Sequence, residues 1–308
     1  MRVFENIGEI IGGTPLLKLP RISERLGLKA TLYVKHEGLC PGGSIKDRTV
    51  KTIIEEAEKR GDLKEGATII EPTSGNTGIG IAMLSAIKGY QAIIVMPDTM
   101  SVERQRLMEA YGARVIRTDG ALGMQGSIDE ANRLAKEIPG AFIPGQFDNP
   151  DNRLAHIRST APEIYEDTDG EVDIVVGGIG TGGTMSGIGE YLKSKKPEIK
   201  IVGVEPKSSP VLTEGRAGKH GIQGIGAGFV PKVYNPDVID EVVAVSDEDA
   251  VLHARMLARL EGILVGISAG AALTAAIEVA KREENAGKTI VAILPDSGER
   301  YLSLSIFS

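Results

Sequence analysis

Eight short runs rich in β-branched and aliphatic residues punctuate this 308-residue chain, and stretches of helical periodicity alternate with them. That alternation limits the fold more than any other feature. Neighbouring parallel strands need a crossover of a dozen or more residues, and a helix is the usual way to make one. The runs are Ala30 to His36, Thr68 to Glu71, Ala92 to Met96, Arg114 to Arg117, Asp173 to Gly177, Lys200 to Glu205, Glu241 to Val245 and Thr289 to Leu294. Asp47 to Arg60 carries Val50, Ile53, Ile54 and Ala57 at helical spacing, and Gly61 ends it. Ser101 to Tyr111, Gly126 to Glu137, Gly183 to Ser194, Asp247 to Glu261 and Ala269 to Arg282 read as further helices. The expected class is α/β, with parallel sheets covered by helices. Pro139 to Arg153, rich in Pro, Gly and Asn, interrupts the pattern near mid-chain and is the expected crossing between two lobes.

Composition removes several function classes. A net charge of −7 with no run of Lys and Arg argues against a nucleic-acid binder. One cysteine, Cys40, leaves no internal disulfide, which suits a reducing cytoplasm. Met1 to Ile10 has no signal-peptide pattern, and no segment is apolar for long enough to span a bilayer, so a cytoplasmic protein is expected. Four histidines in unrelated settings and the lone cysteine form no metal constellation, and none is expected.

The glycine turns follow the predicted strands, which is where open α/β sheets bind ligands. After Asp173 to Gly177 comes Gly178-Ile179-Gly180-Thr181-Gly182-Gly183-Thr184 and then a helix. Successive N–H groups backed by the positive helix end make an anion cradle. The same segment satisfies G-x-G-x-x-G, with Glu205 ending the next strand where an acid would reach a dinucleotide ribose, so a nicotinamide enzyme is a rival reading. A second turn, Pro72-Thr73-Ser74-Gly75-Asn76-Thr77-Gly78, offers hydroxyls and an amide suited to a carboxylate, or else a helix cap. In a third, Pro41 to Arg48, Lys46 stands at the start of a helix, where the dipole should favour the neutral amine that a Schiff base needs. Taken alone, it would be a solvated surface lysine. Ser268 in Gly266-Ile267-Ser268-Ala269-Gly270 reads on its own as a helix cap. The glycine-rich loop Ser208 to Phe229 is long enough to suggest function.

Together, Ile11 to Leu16, Gly43 to Arg48, Pro72 to Gly78, Gly180 to Thr184 and Gly266 to Gly270 occur in one order, and over Ile7 to about Tyr301 the chain resembles the cysteine synthase family. The resemblance implies the fold-type II pyridoxal-phosphate architecture, two parallel-sheet α/β domains with the cofactor in the cleft. Residues 47–146 would form a smaller mobile domain; residues 1–46 and 147–308 would form the larger one that holds the cofactor phosphate. It makes Lys46 the Schiff-base lysine and acid/base. Gly180, Thr181, Gly182, Gly183 and Thr184 would hold the phosphate of pyridoxal 5′-phosphate, Asn76 its ring hydroxyl, and Ser268 would face the pyridine nitrogen. Thr73, Ser74, Asn76, Thr77 and Gln146 would take the substrate carboxylate. Gly224, in the segment Ile222 to Phe229, would lie on the substrate side.

The implied reaction is β-replacement that makes L-cysteine from O-acetyl-L-serine and sulfide through an aminoacrylate, with ping-pong kinetics. A homodimer is implied, with serine acetyltransferase as a partner through its C-terminal peptide. Cystathionine β-synthase, taking homocysteine, is the nearest alternative; a dehydratase, a nicotinamide dehydrogenase and a silent amino-acid sensor are further ones. Cys40 stands where many relatives have Asn, which opens the choice between a small buried residue and an oxidisable thiol.

Overall fold

The computed structural model describes residues 3–73, 75–98, 102–304 and 306–307. Its strands are β1 Leu16–Lys18, β2 Thr31–His36, β3 Thr68–Pro72, β4 Gln91–Pro97, β5 Arg114–Thr118, β6 Ile174–Gly178, β7 Lys200–Pro206, β8 Glu241–Val245 and β9 Thr289–Leu294. The chain divides into two compact units. The first takes in the chain up to Ile11, Cys40–Gly42 and Lys46–Asn152; the second takes Gly12–Leu39, Gly43–Ile45 and the chain from Arg153 onward.

In the first unit β3, β4 and β5 form a parallel sheet in that order. Phe142 extends it beyond β3 through a parallel bridge to Ile69, its N–H donating to Thr68 O at 2.9 Å. The two-residue period of a strand then sorts the side chains. Ile69 and Ile94 pack with Val50, Ile54, Ile79 and Met108 from the helices Lys46–Arg60, Asn76–Lys88 and Val102–Ala110. Ile70, Ile93 and Val95 pack with Ala131 and Leu134 of the helix Gly123–Glu137.

The second unit holds six strands in the order β1-β2-β9-β6-β7-β8. All neighbours pair in parallel except β1 with β2. Val34, Val176, Val204 and Ala292 join one core with Ala269, Leu273 and Ala276 of the helix Ile267–Ala280. Val175, Ile201, Val291 and Ile293 join the other with Met185, Ile188 and Leu192 of the helix Gly183–Lys195. Both faces are therefore covered, as the continuous apolar character of these strands requires. The helix Ile267–Ala280 is buried almost all round, and its alanines let it approach the sheet closely.

The expected strands appear within a residue or so of their predicted ends. The edge strand β1 was not expected: three residues between Pro15 and Pro20 carry too little periodicity to register as a strand. The helix expected over Asp247 to Glu261 runs as an α-helix to Met256 and ends in a wider π turn, Leu257–Glu261. Among the described residues, no helix is long and apolar enough to cross a membrane, and no group of His, Cys, Asp and Glu could hold a metal ion.

Candidate active site

The turn expected to cradle an anion lies in the second unit, between β6 and the helix Gly183–Lys195. Ile179 N–H donates to Val204 O at 2.9 Å and ties the turn to β7. Glycine is required twice in it. A Cβ on Gly180 would lie 2.5 Å from the carbonyl oxygen of Gly224, and Gly182 has φ of 85° with Tyr234 2.7 Å from where its Cβ would be. The first N–H groups of a helix have no partner within it, so this turn presents donors and a positive dipole end. Thr181 accepts from Gly183 N–H at 3.4 Å. Thr184 Oγ1 lies 3.2 Å from Nε2 of the fully buried His156, whose Nδ1 is 2.8 Å from Thr160 Oγ1. The imidazole, carried on the π turn His156–Thr160, therefore orients the Thr184 hydroxyl. Bare backbone, a helix start and oriented hydroxyls fit a phosphate-bearing group.

Two further expected residues meet this turn. Gly224, with φ of 99°, closes on Gly180 through its carbonyl, and a Cβ built on it would lie 3.5 Å from Ser268 Oγ. Gly226 N–H donates to Ile179 O at 3.0 Å and pins the loop in place. Gly180, Gly224 and Ser268, far apart in sequence, are thus gathered in one place. Ser268 is buried, one residue into the helix Ile267–Ala280, and the N-cap of that helix is Gly266, with no side-chain cap bond. Capping is therefore not the role of Ser268. Glu205 is turned to its own chain. It accepts from Leu212 N–H at 2.8 Å, from Thr213 N–H at 3.2 Å and from the Thr213 hydroxyl. A carboxylate so engaged is not offered to a ribose, which removes the acid that the dinucleotide reading needed.

The first unit carries Lys46 as the opening residue of the helix Lys46–Arg60, half-buried. Its neighbour Asp47 is fully buried, and its Oδ2 accepts from Gly42 N–H at 2.6 Å, which fixes the turn into the helix. Gly80 lets the next helix come close: a Cβ there would sit 3.3 Å from Val50 and 3.6 Å from Lys46 O. Cys40 is 3% exposed, so it packs as a small buried residue and is sheltered from oxidants.

In the turn after β3 the N-cap of the helix Asn76–Lys88 is Gly75, without a side-chain cap bond, so neither Thr73 nor Asn76 caps it. Thr73 Oγ1 instead accepts from Gly75 N–H at 3.3 Å. Thr77 is buried and donates to Gln146 Oε1 at 2.6 Å, a contact across 69 residues of chain. Gln146 O accepts from Asn152 Nδ2 at 2.7 Å. Ser74 lies outside the described residues.

Two groups were not among the residues expected from sequence. Glu71, at 1% exposure, accepts from Gly145 N–H at 3.1 Å and from Gln146 N–H at 3.4 Å. Burial pushes its carboxyl up to about 7, against the pull of those two N–H groups and of the Gln146 side chain. Its signal in the sequence was an acid inside an otherwise apolar strand, Ile69-Ile70-Glu71. His156 gave no such signal, since nothing local ties a histidine to a threonine 28 residues away.

Comparison with known proteins places these features in context. The family model described as pyridoxal-phosphate dependent enzyme matches residues 7–296. A cysteine synthase of Staphylococcus aureus is 48% identical over 305 residues, covering 99% of this chain and 97% of that protein. The crystal structure of a cysteine synthase from Entamoeba histolytica superposes with a TM-score of 0.96 at 50% identity, over 99% of this chain and 91% of that one. A hydrogen sulfide-producing enzyme from Fusobacterium nucleatum gives a TM-score of 0.92 at 46% identity, over 97% of this chain and 100% of that one.

Proposed function

The chain belongs to the family of pyridoxal-phosphate-dependent enzymes, fold-type II, and from that premise we propose that it is a cysteine synthase. It forms L-cysteine from O-acetyl-L-serine and sulfide, as its relatives' names and their near-complete coverage support. The observation that carries the reading furthest at the level of residues is the glycine turn of Gly180 and Gly182, closed by Gly224 and Tyr234, with Thr184 beside it and Ser268 against Gly224.

The roles divide between the two units. Gly180 to Thr184 take the cofactor phosphate through N–H groups and hydroxyls. Bound pyridoxal phosphate supplies an electron sink that makes the amino acid's Cα–H acidic and lets the β-substituent leave. Lys46 holds the cofactor covalently and moves the proton at Cα. Asn76 serves the ring hydroxyl, and Thr73, Ser74, Asn76, Thr77 and Gln146 bind the substrate carboxylate. Ser268 meets the pyridine nitrogen with a neutral hydroxyl, which withdraws less charge from the ring than a carboxylate would and suits elimination followed by addition. The wider setting we propose is a cytoplasmic homodimer whose carboxylate-binding turn also accepts the C-terminal peptide of serine acetyltransferase.

The test is a choice of nucleophile. Purified protein given O-acetyl-L-serine with equal sulfide and homocysteine should yield cysteine at least tenfold faster than cystathionine. Cystathionine as the main product would transfer the reading to the homocysteine-using relatives.

A further inference from the structure

Glu71 lies in β3 among Ile69 and Ile70 and opposite Ile94 of β4. A carboxylate in such a place is costly unless its oxygens are satisfied. Its partners are not cations. They are the consecutive N–H groups of Gly145 and Gln146 and the side chain of Gln146. Gly145 has φ of 65°, the left-handed conformation that lets the two N–H groups turn to one side. Gln146 is held again at its carbonyl by Asn152, and its Oε1 receives the Thr77 hydroxyl at 2.6 Å. One acid therefore determines where a backbone segment and an amide side chain lie, and through the amide which way a hydroxyl proton points.

We propose that Glu71 is the positioning residue of the substrate-carboxylate subsite: by taking the N–H groups of Gly145 and Gln146 it sets the Gln146 amide, with its oxygen on Thr77 and one Nε2 hydrogen left to meet an incoming carboxylate. This rests on the assignment of Gln146 and Thr77 to that carboxylate, Thr77 serving through its N–H in the first helical turn because its hydroxyl proton is on Gln146. An amide nitrogen carries two hydrogens, so one held at Glu71 leaves the other to be presented. Glutamine at 71 would keep one acceptor but turn a donor toward an N–H group, so the segment could not keep both bonds.

The test uses the holoenzyme of wild type, E71Q and the Gln146→Ala variant. For E71Q, kcat/KM for O-acetyl-L-serine should fall at least tenfold while kcat/KM for sulfide, which has no carboxylate, stays within twofold. L-Alanine carries the carboxylate but no leaving group; its dissociation constant, read from visible absorbance, should rise by the same factor. E71Q combined with Gln146→Ala should be no worse than Gln146→Ala alone, since Glu71 acts through Gln146. If E71Q does not accumulate folded, Glu71→Asp keeps both oxygens but draws them back, and should show the same split at about threefold. Donor kinetics and L-alanine binding within twofold of wild type, an equal loss toward sulfide, or additive losses in the double variant would each overturn the proposal. Wild type that makes cysteine alongside such a result leaves the functional reading standing, whereas wild type that neither makes cysteine nor binds L-alanine overturns both.

Discussion

Ser268 shows how a residue's local reading can change once its neighbours are known. In sequence it was a serine near a helix start, which is what a cap looks like, but Gly266 holds the cap position and the Ser268 hydroxyl faces Gly224. Ser268→Ala should therefore not lose the ~1 kcal/mol that a cap contributes, and should slow elimination from O-acetyl-L-serine about tenfold. Thermal melts beside single-turnover measurements decide it, and a lowered melting temperature with wild-type elimination would make the residue structural. Glu71 yields a pH test of a different kind. Its carboxyl is raised by burial from the ordinary 4.5 to about 7, so its contribution to stability is full below about 4.5 and is lost as pH rises to about 7. That difference corresponds to roughly 3 kcal/mol. Between those pH values, urea unfolding of Glu71→Gln should gain on wild type by an amount of that order, and a pH-independent difference would mean that the carboxyl titrates normally. A group retained at that cost belongs where function sets the residue.

At the level of elements, the strands over Thr68 to Glu71 and Thr289 to Leu294 were legible because their apolar runs are bounded by turn residues and sit in a regular alternation. The glycine turns were legible too, since glycines crowd them just after a strand. What could not be read was long-range partnership: the Gly224 carbonyl on Gly180, Thr77 on Gln146 and His156 on Thr184 each join segments with no shared periodicity. Nor could sequence distinguish the Glu205 of a dinucleotide site from one that holds Leu212 and Thr213. The turn itself is open to test through Gly180→Ala, whose new Cβ would meet a backbone oxygen at 2.5 Å and force the Gly224 loop to move. That variant should lose pyridoxal phosphate on dialysis at least tenfold faster than wild type while its far-ultraviolet circular dichroism is unchanged. Retention equal to wild type would mean that the cradle does not hold the phosphate.

For the molecule as a whole, each unit has a sheet with apolar contacts on both faces, and each contributes different chemistry to the proposed reaction. The first carries Lys46 and the residues proposed to bind the substrate carboxylate; the second carries the turn proposed to hold the phosphate, and Ser268. We propose that Lys46 is the residue through which this chain acts as a pyridoxal-phosphate enzyme that builds cysteine. The most direct measurement is mass-spectrometric identification of the product from O-acetyl-L-serine and sulfide, run with wild type and with Lys46→Ala. Wild type should yield cysteine and Lys46→Ala none, with the cofactor covalently attached, after borohydride reduction, in the wild type alone. No cysteine from wild type, or near-normal turnover by Lys46→Ala, would mean that Lys46 does not have this role.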